Sequence, residues 1–181
     1  PIVSFQGAQL TDPQTGEVLW HRPLSSEMTL AALDAVEPWG LEVMAYHENQ
    51  VYVSEMTPRM EGYGPRNQIQ VNLVKDLRDL AGDNLIRLVV VGNEDEIQSL
   101  EGTLKTNFNS RLYVTRSLPY YCEILHPQCG KDKALAWLCN NLGIQQKETM
   151  AFGNGYNDVE MLKWVGLGIA IGGAVPEVLR V

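Results

Sequence analysis

The stretch that most constrains this chain is TMAFGNGYNDVEML, residues 149–162, where a short apolar run meets a glycine-rich turn. The apolar run ends at Phe152, and apolar residues at helical spacing resume after Asn157 and Asp158. This pattern predicts a strand, a tight turn and a helix. In open α/β sheets, ligands bind outside the carboxyl ends of strands, close to the N–H groups of such turns. The stretch therefore predicts an α/β fold and a candidate binding site.

The turn carries two amides and a carboxylate, those of Asn154, Asn157 and Asp158. Their oxygen atoms are hard ligands of the kind that Mg²⁺ binds. A dinucleotide-binding turn is an alternative, but its G-x-G-x-x-G pattern requires glycine at position 158, where this chain has aspartate. Ordinary turn chemistry, with Asp158 as a helix N-cap, holds in either case.

A second candidate lies upstream, where Lys131 begins the segment KDKALAWLCNNLG. The apolar residues of this segment form one stripe at helical spacing and Gly143 can cap its end, which predicts a helix that starts at Lys131. The helix dipole favours an acid rather than a lysine at this position, and most exposed lysines are only solvated. Its pairing with the Asn/Asp turn makes Lys131 a candidate functional residue.

The segment from Tyr121 to Val178 resembles the C-terminal part of a haloacid dehalogenase superfamily phosphatase of the Cof type. The family pattern there is an EI-x-P strand end, a Lys-led helix, an apolar strand, G-D-x-x-N-D, a G-x-A-hydrophobic strand and an A-x-P-E helix start. The opening PIVSFQGAQL resembles the family's NGA segment, with Gln6 where Asn is usual. The matching positions are Glu123-Ile124, Lys131, Gly153, Asn157-Asp158, Met161-Leu162, Gly168 to Ala170 and Ala174 to Glu177.

This resemblance implies a Mg²⁺-dependent phosphomonoester hydrolase that acts on a small phosphorylated metabolite, such as a sugar phosphate, through an aspartyl-phosphate intermediate. It implies that Lys131 and Asp158 are catalytic and that Lys131 and Asn157 bind the substrate phosphate. Asn154 and Asp158 are the implied Mg²⁺ ligands, and Asp158 could instead orient Lys131. These roles suit the reaction, because phosphoryl transfer gathers negative charge that cations and hydrogen-bond donors must stabilise.

The chain departs from the family pattern in two respects. The family's nucleophile follows an apolar strand in a D-x-D-G-T segment, and this chain contains no D-x-D. Because it starts at Pro1 and stops at Val181 within an unfinished helical pattern, we expect a fragment that lacks the nucleophile segment and the extreme C-terminus and is inactive alone.

The second departure is Asn154, which stands where the family has an aspartate that binds Mg²⁺ directly. An amide oxygen brings no charge, so weaker metal binding is expected. A catalytically weak or inactive protein that binds phosphorylated ligands therefore stays open as an alternative function. An unrelated α/β interaction domain is a third possibility.

The predicted fold class is α/β, with part of a haloacid dehalogenase Rossmann-like core, built on a parallel sheet, and an inserted α+β type-IIB cap. Residues 1–13 are assigned to the core segment that leads into the cap, 14–119 to the cap and 120–181 to the C-terminal part of the core. Patterning predicts helices at 27–36 and 94–105, strands at 41–46, 51–53, 85–91, 111–115 and 120–125, and a polar loop at 56–67. The type at 69–80 stays open. Candidate substrate-selecting residues on cap loops are His47, Glu48, Arg59, Tyr63 and Arg66.

The formal net charge is -8, and the chain has no run of Lys or Arg. Because phosphate backbones and anionic membranes attract basic patches, nucleic-acid and membrane partners are not expected. The three cysteines, Cys122, Cys129 and Cys139, are odd in number and form no C-x-x-C pair, so disulfides are not expected and a reducing cytoplasm fits. Cys122 and Cys129 with His126 leave zinc binding open, although their spacing matches no standard framework. The sequence does not indicate an oligomeric state.

Overall fold

The structure is a computed structural model that describes residues 1–82 and 84–181, and its fold is mixed α/β. The strands are β1 Ile2–Ser4, β2 Gln9–Thr11, β3 Val18–His21, β4 Glu42–His47, β5 Gln50–Val53, β6 Val71–Leu73, β7 Leu85–Val91, β8 Tyr113–Leu118, β9 Tyr121–Leu125, β10 Met150–Gly153 and β11 Leu167–Ala170. The α-helices are α1 Ser26–Val36, α2 Pro58–Asn67, α3 Glu94–Phe108, α4 Lys131–Leu142 and α5 Val159–Trp164. Short 3-10 turns cover Phe5–Gly7, Glu37–Trp39, Leu77–Leu80, Asn109–Arg111, Gln146–Glu148, Tyr156–Asp158 and Val178–Arg180.

The chain divides into two compact units. The first contains residues 1–22, 115–118 and 128–181, and the second contains residues 23–114 and 119–127. Most of the predicted cap at 14–119 thus lies in the second unit. Its assignment as a cap stays a prediction, and each unit is described separately below.

The first unit combines an antiparallel sheet, β1-β2-β3, with the parallel pair β10-β11. Parallel strands need a crossover connection, and α5 provides it between β10 and β11. Ala151, Leu162 and Val165 are buried where α5 packs on this pair, and Leu135 of α4 packs against the same cluster. The strand, turn and helix predicted at 149–162 are confirmed, as is the helix that starts at Lys131 and ends with Gly143 in a left-handed conformation.

In the second unit, five strands lie side by side in the order β6-β5-β4-β7-β9. Most neighbours are antiparallel, and β5-β6 is parallel. The helices α1 and α3 cover one face with apolar side chains such as Leu33 and Leu100, which pack against strand residues such as Leu88. Ser25 caps α1, since its hydroxyl accepts a hydrogen bond from Met28 N. The predicted strand at 85–91 and the helix from Glu94 are also confirmed.

The strands predicted at 41–46 and 51–53 are confirmed as β4 and β5, which pair antiparallel as a hairpin. Glu48 and Asn49 both have positive φ, 47° and 63°, as the tight turns of β-hairpins require. The polar loop predicted at 56–67 is wrong, because residues 58–67 form α2. Thr57 caps this helix by accepting a hydrogen bond from Met60 N, and Pro58 occupies the first turn, where its missing N–H costs nothing.

The sequence did not predict α2 because the segment contains two glycines and a second proline, which are unfavourable in helices. Met60 and Gly64 are nevertheless buried one turn apart on the side of the helix that faces the protein. The ambiguous segment 69–80 divides into β6 and the 3-10 turn at Leu77–Leu80. Among the residues that the structure describes, no helix is long and apolar enough to cross a membrane.

Candidate active site

The candidate site is the bend between β10 and α5 in the first unit. β10 ends at Gly153, and the 3-10 turn Tyr156–Asp158 leads into α5, so the bend lies at the carboxyl end of a parallel strand. A Cβ on residue 153 would lie 2.5 Å from the Cβ of Asp158. Glycine at 153 therefore lets the strand end approach Asp158 closely enough to place its carboxylate inside the bend.

The structure brings Lys131 to this bend. Lys131 is the first residue of α4, and its Nζ donates a hydrogen bond to Asp158 Oδ1 at 2.5 Å. The Asp158 side chain is 8% exposed, whereas the Lys131 side chain is 32% exposed. The carboxylate is thus inside the protein, while its cation reaches the surface where an anion could meet it.

The second carboxylate oxygen of Asp158 is held by the backbone. Its Oδ2 accepts hydrogen bonds from Asn154 N and Gly155 N, both at 2.9 Å. The sequence predicted that N–H groups of this turn would face a ligand. For these two N–H groups that prediction is wrong, because the Asp158 side chain turns back toward the turn and accepts the hydrogen bonds of both. Their effect on a ligand is indirect, through the position of Asp158 and hence of Lys131.

These contacts determine the charge of Asp158. Burial disfavours the charged carboxylate and alone would raise its pKa. The hydrogen bonds from Lys131 and from the N–H groups of Gly155 and Asn154 outweigh burial, so the pKa of Asp158 is lowered from its ordinary 3.8. Asp158 is therefore ionised at neutral pH and provides a fixed negative partner for the Lys131 ammonium.

Asn157 lies on the same turn, and its partner comes from the other end of the chain. Its Nδ2 donates a hydrogen bond to Gln6 Oε1 at 2.9 Å. Gln6 was not among the predicted site residues; in the sequence it stands out only as the replacement for Asn of the family's NGA segment. The signal that could have identified Gln6 was its position, because the opening PIVSFQGAQL resembles the family's NGA segment and Gln6 occupies the place of its Asn.

The metal assignment depends on Asn154 and Asp158. Asn154 is exposed and its side chain offers one amide oxygen, whereas the oxygens of Asp158 already accept three hydrogen bonds. Within residues 1–82 and 84–181, no group of three or more His, Cys, Asp or Glu side chains is arranged to hold a metal ion. These side chains fit Mg²⁺ only as part of a larger ligand set, and the metal role of both residues stays a prediction. The same observation gives no support to zinc at Cys122, His126 and Cys129. All three cysteines are buried.

The residues predicted to select the substrate lie in the second unit. His47 ends β4 and Glu48 is in the hairpin turn, while Arg59, Tyr63 and Arg66 lie on α2 rather than on a loop. The Tyr63 hydroxyl is hydrogen-bonded to that of Tyr46. Arg59 lies 3.7 Å from Glu42. Their role in substrate selection stays a prediction.

Comparison with known proteins gives the family. The family model for haloacid dehalogenase-like hydrolases matches residues 1–181. An HMP-PP phosphatase of Cronobacter sakazakii is 26% identical over 178 residues, which is 98% of this chain and 65% of that protein. A haloacid dehalogenase-like hydrolase from B. subtilis has a solved structure with a TM-score of 0.83 and 18% identity, over 99% of this chain and 71% of that one.

A subclass IIB sugar phosphatase of the same superfamily matches with a TM-score of 0.78 and 19% identity, over 98% of this chain and 66% of that one. At such identities the structural matches establish the fold, which agrees with the predicted α/β class. The chain thus spans about two thirds of the length of these relatives. The match along the whole chain excludes the unrelated interaction domain, and the chain belongs to the haloacid dehalogenase-like hydrolases.

Proposed function

We propose that the protein containing this chain is a phosphatase for a small phosphorylated metabolite, such as a sugar phosphate, and that Lys131, Asn157 and Asp158 form its phosphate site. The observation that supports this most directly is the 2.5 Å contact between Lys131 Nζ and Asp158 Oδ1 at the bend after β10. It holds an ammonium group at the turn that also carries Asn157. The names of an HMP-PP phosphatase and a sugar phosphatase among the relatives support this class of substrate.

In this proposal the chemistry follows from charge. A carboxylate nucleophile that attacks a phosphate brings two anions together, and the Lys131 ammonium reduces their repulsion. One charge pair at about 4 Å is worth roughly 4 kcal/mol at an effective dielectric near 20, or about a thousandfold in rate if it forms only in the transition state. Asn157 donates an N–H to a phosphate oxygen, and Asp158 holds Lys131 in place.

The nucleophile is proposed to be an aspartate outside the 181 residues of this chain, which forms the aspartyl-phosphate. The 181 residues alone are therefore expected not to hydrolyse phosphomonoesters. Mg²⁺, when bound, would polarise a phosphoryl oxygen. Asn154 and Asp158 are the residues of this chain whose side chains would hold it. A cytoplasmic location is part of this proposal, because three cysteines, an odd number with no C-x-x-C pair, suit a reducing compartment.

The test is hydrolysis of p-nitrophenyl phosphate with Mg²⁺ by the full-length protein, compared with its Lys131→Ala variant. Turnover is expected to fall about a thousandfold, because the attraction between the Lys131 ammonium and the phosphoryl group in the transition state is lost. Lys133→Ala is the matched control, since Lys133 is an exposed lysine of the same helix and is expected to be dispensable. Unchanged turnover in Lys131→Ala would remove Lys131 from the mechanism.

A catalytically weak or inactive phosphate-binding protein is the second candidate, and Asn154 is the observation that favours it. An amide in place of a carboxylate removes one negative charge from a metal site. If the full-length protein binds a sugar phosphate without turnover, this second function is correct. The variant Asn154→Asp separates the two functions further. In a phosphatase it should lower the Mg²⁺ concentration needed for half-maximal turnover. In a binding protein that lacks other catalytic groups, the variant should still bind phosphate and still show no turnover.

A further inference from the structure

The turn between β1 and β2 has an unusual backbone. Phe5 and Gln6 are in the left-handed region, with φ of 49° and 54°. This conformation is costly for residues that carry a Cβ, and it persists where the surrounding structure holds it, often beside functional sites. The surroundings of Gln6 include both segments of the candidate active site.

Gln6 contacts these two segments through different atoms. Its backbone oxygen accepts a hydrogen bond of 3.0 Å from the N–H of Gly130, the residue before Lys131. Its side-chain Oε1 accepts the 2.9 Å hydrogen bond from Asn157 Nδ2. One residue is thus bonded both to the start of the Lys131 helix and to the bend after β10.

The side-chain contact sets the orientation of the Asn157 carboxamide. An amide nitrogen carries two hydrogens, and an acceptor at Gln6 Oε1 engages one of them, which leaves the second for another acceptor. On the other side, Asn157 Oδ1 lies 2.7 Å from the point where a Cβ on residue 155 would be. Glycine at 155 therefore leaves room for the oxygen. The nitrogen end of Asn157 faces Gln6 and the oxygen end faces the backbone.

We infer that Gln6 is a positioning residue of the phosphate site. Its side-chain oxygen holds the Asn157 carboxamide so that the remaining N–H can meet a phosphate oxygen. Its carbonyl fixes the start of the Lys131 helix to the same turn. This inference rests on the proposed function, and in it Gln6 acts through Asn157 rather than on the reacting atoms.

Two substitutions in the full-length protein separate the side chain from the backbone. Gln6→Gly removes the amide and relaxes the left-handed backbone, whereas Gln6→Met removes the amide and keeps the Cβ. Both variants are expected to lose kcat/KM on the order of tenfold, the effect of one hydrogen bond. Equal losses in the two would attribute the effect to the amide. Gln9→Ala is the control, because Gln9 is a nearby amide whose Nε2 donates to Thr11, and it should retain wild-type kcat/KM.

A double-mutant cycle tests whether Gln6 acts through Asn157. Asn157→Ala should lose roughly 10- to 100-fold in kcat/KM, since a hydrogen bond to a charged group is lost. Gln6→Gly combined with Asn157→Ala should match Asn157→Ala alone to within about twofold. Losses that multiply in the double variant, or wild-type kcat/KM in both Gln6 variants, would overturn the inference.

An NMR readout keeps this test separate from the proposed function. If the wild-type full-length protein hydrolyses no phosphomonoester, the proposed phosphatase fails, and the Gln6 contact is tested without activity. In asparagine-labelled protein, the side-chain NH₂ signals of Asn157 are identified by their loss in Asn157→Ala. They should shift in Gln6→Gly and stay in place in Gln9→Ala. Unshifted signals in Gln6→Gly would overturn the positioning role.

Discussion

Both units contain an ion pair with a buried carboxylate, and the two pairs differ in the exposure of the cation. In the second unit, Arg87 lies 2.5 Å from Glu123, and their side chains are 16% and 3% exposed. The guanidinium also stacks over the ring of Tyr46 at 4.1 Å. In the first unit, Lys131 is 32% exposed, twice as much as Arg87, while its partner Asp158 is 8% exposed.

This difference separates a structural pair from a candidate functional one. The Arg87 side chain is largely buried with one face of its guanidinium over Tyr46, so its charge serves mainly to balance that of Glu123. Asp158 instead has two backbone donors besides Lys131, and holds a cation whose surface remains accessible. A fixed but accessible charge is what recognition of an anion requires. The comparison therefore predicts that breaking the first pair costs stability, and breaking the second costs mainly activity.

The largest effect on stability is expected at Arg87. Arg87→Met leaves the Glu123 carboxylate buried without its cation and should lower the free energy of unfolding by about 3–5 kcal/mol. Lys131→Met should lower it by only about 1 kcal/mol, because Asp158 keeps its two backbone donors. Urea unfolding of the full-length variants, followed by circular dichroism, measures both changes.

The matched control for Arg87 is the double variant Arg87→Met with Glu123→Leu. Replacing both partners removes the unpaired charge, so most of the stability should return. Equal destabilisation by Arg87→Met and Lys131→Met would contradict the distinction between the two pairs.

The sequence predicted the local structure around the candidate site correctly. The strand, turn and helix at 149–162 and the helix that starts at Lys131 follow from apolar spacing and from glycine at the turn and cap. Those elements placed Lys131 beside Asp158 as expected. The sequence did not predict that Asp158 would accept the N–H groups of Asn154 and Gly155, because the outcome depends on which way the carboxylate turns.

Two further features depend on tertiary contacts that a sequence pattern does not contain. Gln6 and Asn157 are separated by 151 positions, so their hydrogen bond exists only in the folded chain. The helix α2 has poor intrinsic propensity, with glycine at 62 and 64 and proline at 65. Its formation depends on the cap at Thr57 and on burial of Met60. Tertiary packing outweighs propensity in this helix.

A smaller effect, which varies with pH, is expected from Asp158→Asn. At neutral pH the amide nitrogen would face either Lys131 or the backbone donors, so stability should fall by about 1–3 kcal/mol. Because the pKa of Asp158 is lowered in the folded protein, its carboxylate stabilises the fold above the ordinary pKa of 3.8. That contribution is lost as the pH falls through the lowered value. The difference in unfolding free energy between wild type and variant should therefore shrink in acid, and a difference that stays constant to about pH 2 would refute this assignment.

The smallest effect is expected at Arg78, which adds an exposed example to the comparison. Arg78 pairs with Asp34 at 2.8 Å and with Glu37 at 2.9 Å. The side chains of both acids are about two-thirds exposed, 67% for Asp34 and 69% for Glu37. Exposed pairs contribute little, since water and salt screen them. Arg78→Ala should thus lower the melting temperature least of these variants, and the loss should disappear in about 1 M NaCl, where the screening length is about 3 Å. If the loss persists in high salt, the apolar stem of Arg78 rather than its charge stabilises this surface.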